Sequence, residues 1–196
     1  MAQGVLVDAP VSPIGELNQL NDLKLIAAIN NGDATAFEVL YFRYRDWVVS
    51  QAYRLTGDSD CALDVMQETF LYVLRKFPGF KLTANFKTFL YPAVRNLSIG
   101  ARRKSARYRS NEAEQAELEN AAAPAIAPTG HEELNAVLAR LSVEHREALL
   151  LRFVDGLSLA EIAEAISIPL GTVKSRLHSA LEQLRNDPRT KEFFEG

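Results

Sequence analysis

Apolar residues recur along this chain at intervals of three and four, and no stretch alternates regularly enough to read as a strand. The pattern predicts helices throughout. Asn21 or Asp22 is placed to cap a first helix running through Ile29, with Gly32 ending it. Asp33 caps a longer one whose stripe is Phe37, Leu40, Tyr41, Tyr44, Val48, Ala52 and Leu55, and Gly57 suits the left-handed residue that closes it. A third starts at Asp58 or Asp60 and carries Ala62, Val65, Met66, Thr69, Phe70, Val73 and Phe77 on one face, until Pro78-Gly79 stops it. Asn85 caps a fourth, with Phe86, Phe89, Leu90, Val94 and Leu97 in its stripe. The three longer stripes can bury one another as a compact helical domain.

The stretch "EAEQAELENAAAPAIAPTG" (112–130) is different in kind: acidic, alanine-rich and broken by prolines, with only Leu118 and Ile126 as large apolar residues. It reads as a flexible linker. Helical spacing then resumes in "ELNAVLARL" and in a helix capped by Ser142, where Leu150, Phe153, Val154 and Leu157 share a face and Gly156 closes it. Ser158 and Glu161 have the spacing of a capping box, opening a short helix that turns Leu159, Ile162, Ala163 and Ile166 inward. Pro169 can sit in the first turn of the next helix, where its missing N–H costs nothing. That helix buries Val173, Leu177, Leu181 and Leu184, and two helices joined by so tight a turn make a helix-turn-helix. The expected fold class is therefore all-α, two small helical domains joined by a flexible linker. Residues 1–20 form an N-terminal arm, 21–109 a helical bundle, 110–130 the linker, 131–186 the helix-turn-helix domain and 187–196 a C-terminal tail.

Composition narrows the function. At 47% hydrophobic and 24% charged residues the chain is of ordinary globular type. Cys61 is the only cysteine, which excludes an internal disulfide and any CxxC metal site and fits a reducing cytoplasm. No run of about 18 apolar residues is present, so no membrane insertion is expected. The first residues lack the basic region of a secretory signal. His131, His145 and His178 have no metal-ligand spacing and no glycine-rich phosphate loop occurs, so no cofactor, no metal and no enzymatic activity are expected.

Charge is distributed unevenly. The net value is −3, but from Arg75 to Arg109 there are ten Lys and Arg residues and no Asp or Glu; that segment is +10 and the remainder −13. Such an excess is the footprint of a polyanion-binding surface. Within it the loop "FPGFKLTANF" places Phe80 beside Lys81, materials for holding unstacked bases of a single strand; Phe77, Phe86 and Phe89 fit helical stripes and read as mainly core. On the second helix of the helix-turn-helix, Thr172, Lys174, Ser175 and Arg176 come first, followed by His178 and Ser179. These side chains suit phosphate oxygens and base edges in a major groove, where a hairpin that merely packed in a bundle would need no such cluster. Asp60, Asp64, Gln67 and Glu68 recur at three, four and seven on the face opposite Val65 and Phe70, an acidic patch for a partner with a basic surface.

The segments "GDATAFEVLYFRY" (32–44), "DVMQETFLYVLRKF" (64–77), "NFKTFLYPAVRN" (85–96) and "LSVEHREALLLRFVDGLSLAEIAEAISIPLGTVKSRL" (141–177) together resemble a bacterial RNA polymerase sigma factor of the extracytoplasmic-function (ECF) group. The resemblance covers most of the chain outside the arm and linker. It implies sigma-2 and sigma-4 domains and a cytoplasmic protein, monomeric when free. Its partners would be core RNA polymerase (the β′ clamp helices and the β flap), promoter DNA and an anti-sigma factor. By resemblance Asp60, Asp64, Gln67 and Glu68 face the polymerase. Phe80, Lys81, Asn85, Lys87, Arg95, Asn96, Arg102 and Arg103 fall where the family melts and reads the −10 element, and Thr172 to Ser179 match the reader of the −35 element. Ser167 stands where the family usually has a turn glycine, Pro92 where it has a helix-compatible residue, and Ser179 where a basic one is common. These departures imply an altered promoter preference.

Two other functions fit parts of this pattern. A stand-alone helix-turn-helix regulator would use the last domain, but needs neither an acidic docking patch nor a single-strand loop. A sigma mimic that binds an anti-sigma factor without DNA would not need the basic segment.

Overall fold

The computed structural model describes residues 14–113 and 132–190, with side chains from 15 to 106 and from 136 to 190; every regular element among them is helical. The helices are α1 (Ile14–Leu17), α2 (Asp22–Asn30), α3 (Ala34–Thr56), α4 (Ser59–Leu74), α5 (Phe86–Ala113), α6 (Glu132–Ala139), α7 (Val143–Phe153), α8 (Leu159–Ala165) and α9 (Leu170–Asn186). They form two compact units, one resting on α1–α4 with α5 beyond Pro92, the other on α6–α9 with the stretch Lys87–Pro92.

In the first unit the helix starts follow side-chain chemistry. Asn21 accepts from the Lys24 N–H at 3.0 Å, Asp33 from Thr35 and Ala36, and Asp58, rather than Asp60, from Cys61 at 2.8 Å. Gly57 closes α3 with φ +73°. α3 packs against α1, α2 and α4. Its Val39, Leu40, Tyr44, Val48 and Ala52 are buried with Leu25, Ile26 and Ile29 of α2 and Ala62, Val65, Met66, Thr69, Phe70 and Val73 of α4. Tyr41 meets Phe70 edge-on at 4.7 Å, and Tyr44 lies 4.9 Å from Phe86.

Three expectations change here. The arm is not all arm: α1 lies within it and Leu17 is buried, while residues before 14 lie outside the described residues. Arg43 donates to the Asn18 and Leu20 carbonyls and, at 2.7 Å, to Asp22, which also accepts from the Tyr44 hydroxyl at 2.5 Å; this ties the α1–α2 turn to α3. Phe77 leaves the α4 stripe because that helix ends at Leu74 with Arg75 as its cap. α5 runs through Pro92 to Ala113, so the expected linker begins inside a helix and continues outside the described residues.

In the second unit α7 packs on α8 and α9, and α8 on α9. The core is Val137, Leu138, Leu141, Ala148, Leu149, Leu151, Leu157, Ile162, Ala165, Val173, Leu177, Ala180 and Leu184. Phe153 and Val154 are exposed at 61% and 58%, not buried with Leu157. α7 turns Ala148, Leu149 and Leu151 into the core instead, which leaves Phe153 in its last turn and Val154 at its C-cap on the solvent side. The supposed tail is held as far as Thr190, buried, whose hydroxyl donates to the Leu184 carbonyl; Arg140 pairs with Asp187 at 2.9 Å. Among the described residues no helix is long and apolar enough to cross a membrane.

Burial, and then its bond to Asp22, hold the Tyr44 phenol well above its ordinary value near 10. Above that pH the unfolded chain has lost a proton that the folded one keeps, so this contribution to stability is intact below about pH 10 and declines as the pH rises past it. Tyr44→Phe should cost about 0.5–1.5 kcal/mol at neutral pH and flatten the alkaline decline, as read from urea midpoints at a series of pH values.

Candidate nucleic-acid and protein interfaces

The basic segment is organised around the loop between α4 and α5. Phe77 and Phe80 meet ring to ring at 5.4 Å, edge to face, so Phe80 has an aromatic partner that periodicity alone does not supply. Behind them stands Asn30, the last residue of α2. Its Oδ1 accepts from the Gly79 N–H at 2.6 Å and the Phe80 N–H at 3.0 Å, and its Nδ2 donates to the Phe80 carbonyl at 2.9 Å. Gly79 takes φ +96°, a conformation that favours glycine. Lys81 and Asn85 are exposed beyond the rings; Lys87 and Arg95 are half-buried on α5, and Asn96, Arg102, Arg103 and Lys104 are exposed along it. This arrangement sets a half-buried aromatic pair beside cations with no carboxylate in the segment. Sequence reasoning missed Asn30, since "NNGD" gives no sign of which chain segment, some 50 residues on, its amide would hold.

On α4, Asp60, Asp64, Gln67 and Glu68 are all exposed, and so are Leu63, Leu71 and Leu74. At helical spacing Leu71 continues the line of Asp60, Asp64 and Glu68, so the face is acidic and apolar together. The negative field is felt locally. The Cys61 thiol is pushed up first by burial, then by its contact with Asp58, then by the charges of Asp64 and Asp60.

In the second unit the capping box is complete: the Glu161 N–H donates to Ser158 Oγ at 3.2 Å and the Ser158 N–H to Glu161 Oε2 at 2.8 Å. The turn to α9 passes through Ser167 at φ +54°, and Pro169 is the N-cap of α9 rather than a residue of its first turn. Val173, Leu177, Ala180 and Leu184 are buried, which turns Lys174, Ser175 and His178 outward; Thr172, Arg176 and Ser179 are half-buried at the margins. Ser175 Oγ donates to the Thr172 carbonyl at 3.0 Å, so its proton is already engaged. His178 lies 3.7 Å from Glu182. The Glu144 carboxyl is held below its usual range by backbone N–H donation, then by Ser142, and also by the charge of Arg176, which places that guanidinium in the field of an acid.

Residues 40–108 match the family model for sigma-70 region 2, and residues 131–184 that for sigma-70 region 4. The chain is 31% identical over 179 residues to the ECF RNA polymerase sigma factor SigW of Bacillus subtilis, covering 85% of this chain and 96% of that one. It is 34% identical over 181 residues to the ECF RNA polymerase sigma-E factor of Escherichia coli K12, covering 86% and 94%. Its fold is similar to that of the sigma factor RpoE in complex with the anti-sigma factor NepR from Bartonella quintana (TM-score 0.58, 24% identity, 76% of this chain and 94% of that one). It is also similar to that of CnrH in complex with the cytosolic domain of CnrY (TM-score 0.59, 22% identity, 83% and 93%).

Ser167 holds a Cβ in a left-handed conformation. Ser167→Gly should therefore raise the stability of the second unit by up to about 1 kcal/mol, and Ser167→Val should lower it, as measured by urea unfolding.

Proposed function

The chain belongs to the extracytoplasmic-function group of RNA polymerase sigma factors, and we propose a division of that work among three of its surfaces. A sigma factor directs promoter recognition, DNA melting and transcription initiation while the polymerase carries out the chemistry. This chain therefore needs no active site or cofactor of its own. The acidic and apolar face of α4 docks on the β′ clamp helices, with Asp60, Asp64, Gln67 and Glu68 supplying charge and polar contacts and Leu71 supplying apolar area. The loop of Phe80 and Lys81, with Asn85, Lys87, Arg95, Asn96, Arg102 and Arg103, takes the unpaired −10 element by stacking and phosphate attraction. The second unit docks on the β flap and lays α9 in the major groove of the −35 element.

The observation that carries the DNA reading is the exposure of Lys174, Ser175 and His178 on the part of α9 outside its buried stripe. Of the two neighbouring structures, one is a sigma factor held by an anti-sigma factor and the other a complex with a cytosolic domain. We extend the anti-sigma class of partner to this chain, acting in the cytoplasm on a protein that is monomeric when free. Run-off transcription with core polymerase over a promoter library tests the whole reading. Specific duplex binding without polymerase would support a stand-alone regulator instead, and capture of an anti-sigma factor without any promoter activity would support a mimic.

Charge reversal at Asp64 or Glu68 should weaken binding to core polymerase while leaving the circular dichroism spectrum unchanged, because both side chains are exposed. Unaltered affinity would remove the reason for calling α4 an interface.

Lys174→Ala and His178→Ala should each cost about 1–3 kcal/mol at one base position of the −35 element. Arg176→Ala should instead weaken all sequences alike and reduce the salt slope by roughly one unit. A panel of −35 mutants read at two salt concentrations separates these outcomes.

A further inference from the structure

We propose that Asn30 is a positioning residue for promoter melting, acting through the backbone of the loop rather than by touching DNA. This inference rests on the reading of the loop as the receiver of the −10 element. A ring that stacks on an unpaired base works best when already aimed, since ordering it at the moment of capture would take from the affinity. The loop lies between α4 and α5, has no regular structure, and passes through Gly79 at positive φ, so beyond the Phe77–Phe80 ring contact its aim depends on what holds its backbone. Asn30 supplies the missing restraint from another helix. Its amide satisfies both backbone polar groups of Phe80 and the N–H of Gly79, as a neighbouring peptide would in a sheet. With the backbone pinned on both sides of the Phe80 Cα, the ring is directed onto Phe77, and Lys81 follows outward. α2 is in turn packed on α3, so the aim of the loop is referred to the core of the unit.

The test uses the full chain with core polymerase and the variants Asn30→Ala, Asn30→Asp and Phe80→Ala. In the free chain, Asn30→Ala should speed amide exchange at Gly79 and Phe80 while leaving the Leu40 and Val48 amides protected, which excludes general unfolding. In the holoenzyme it should lower open-complex formation, read by permanganate at unpaired thymines, on the order of tenfold, with closed complexes little changed. Asn30→Asp still accepts from both N–H groups but cannot donate to the Phe80 carbonyl and faces it with a carboxylate oxygen, so its opening should also fall below that of the unaltered chain. Impaired opening in Phe80→Ala with normal opening in Asn30→Ala overturns this inference alone, as does unchanged amide exchange at Gly79 and Phe80 in Asn30→Ala. Normal opening in Phe80→Ala overturns the reading of the loop itself, and with it the role given to Asn30.

Discussion

The burial of one side of each helix determines where the other side points, and the working surfaces of this protein follow from that constraint. A domain this small has little core to spare, so nearly every helix must commit a stripe to it. On α9 the stripe is Val173, Leu177, Ala180 and Leu184, and the 3.6-residue period leaves Lys174, Ser175 and His178 facing away. On α4 the stripe is Val65, Met66, Thr69, Phe70 and Val73, and the remainder is the acidic and apolar face. The same side chains that hold the fold thus orient the groups that would bind. A substitution within a stripe would disturb both functions, whereas one on the opposite face can change binding and leave the fold standing.

Charge segregation adds a second layer. A duplex or single strand meets +10 in one segment and −13 in the rest of the chain, so attraction depends on which surface is presented. An assembly that covers the acidic α4 face with a basic partner would remove a source of repulsion and bring the basic segment forward. The free chain and the assembled chain would then differ in affinity for DNA without any change in fold, and the difference would narrow as salt screens both terms.

What could be read from the sequence was local. Asn21, Asp33, Ser142 and Ser158 each cap a helix because the cap and its partner lie within three residues, a distance that a sequence displays directly. The buried residues of α4 likewise follow from period alone. The failures arose where a helix ended or where partners were distant. Phe77 lies three residues beyond the end of α4, and Val154 caps a helix that buries Ala148, Leu149 and Leu151, a face the apolar spacing does not single out. Leu17 is buried by a helix of four residues, too short to show a period. Asn30 holds a loop 50 residues away, and no spacing rule connects them.

The side chains of α9 also differ in what they can ask of a base pair, beyond being polar. Lys174 has only donors, suited to the N7 and O6 acceptors of guanine. Ser175 could serve as donor or acceptor, but its proton goes to the Thr172 carbonyl, leaving lone pairs that suit the amino groups of cytosine or adenine. Arg176 is half-buried at the margin of the helix, a position that would favour a phosphate contact over an edge-reading one. With Ser179 uncharged at the margin, selectivity would rest on few positions: a donor at Lys174, an acceptor at Ser175, and His178, which lies 3.7 Å from Glu182. An element matched to this helix would therefore alternate groove acceptors with groove donors across adjacent base pairs, a narrower requirement than a helix of free cations would impose.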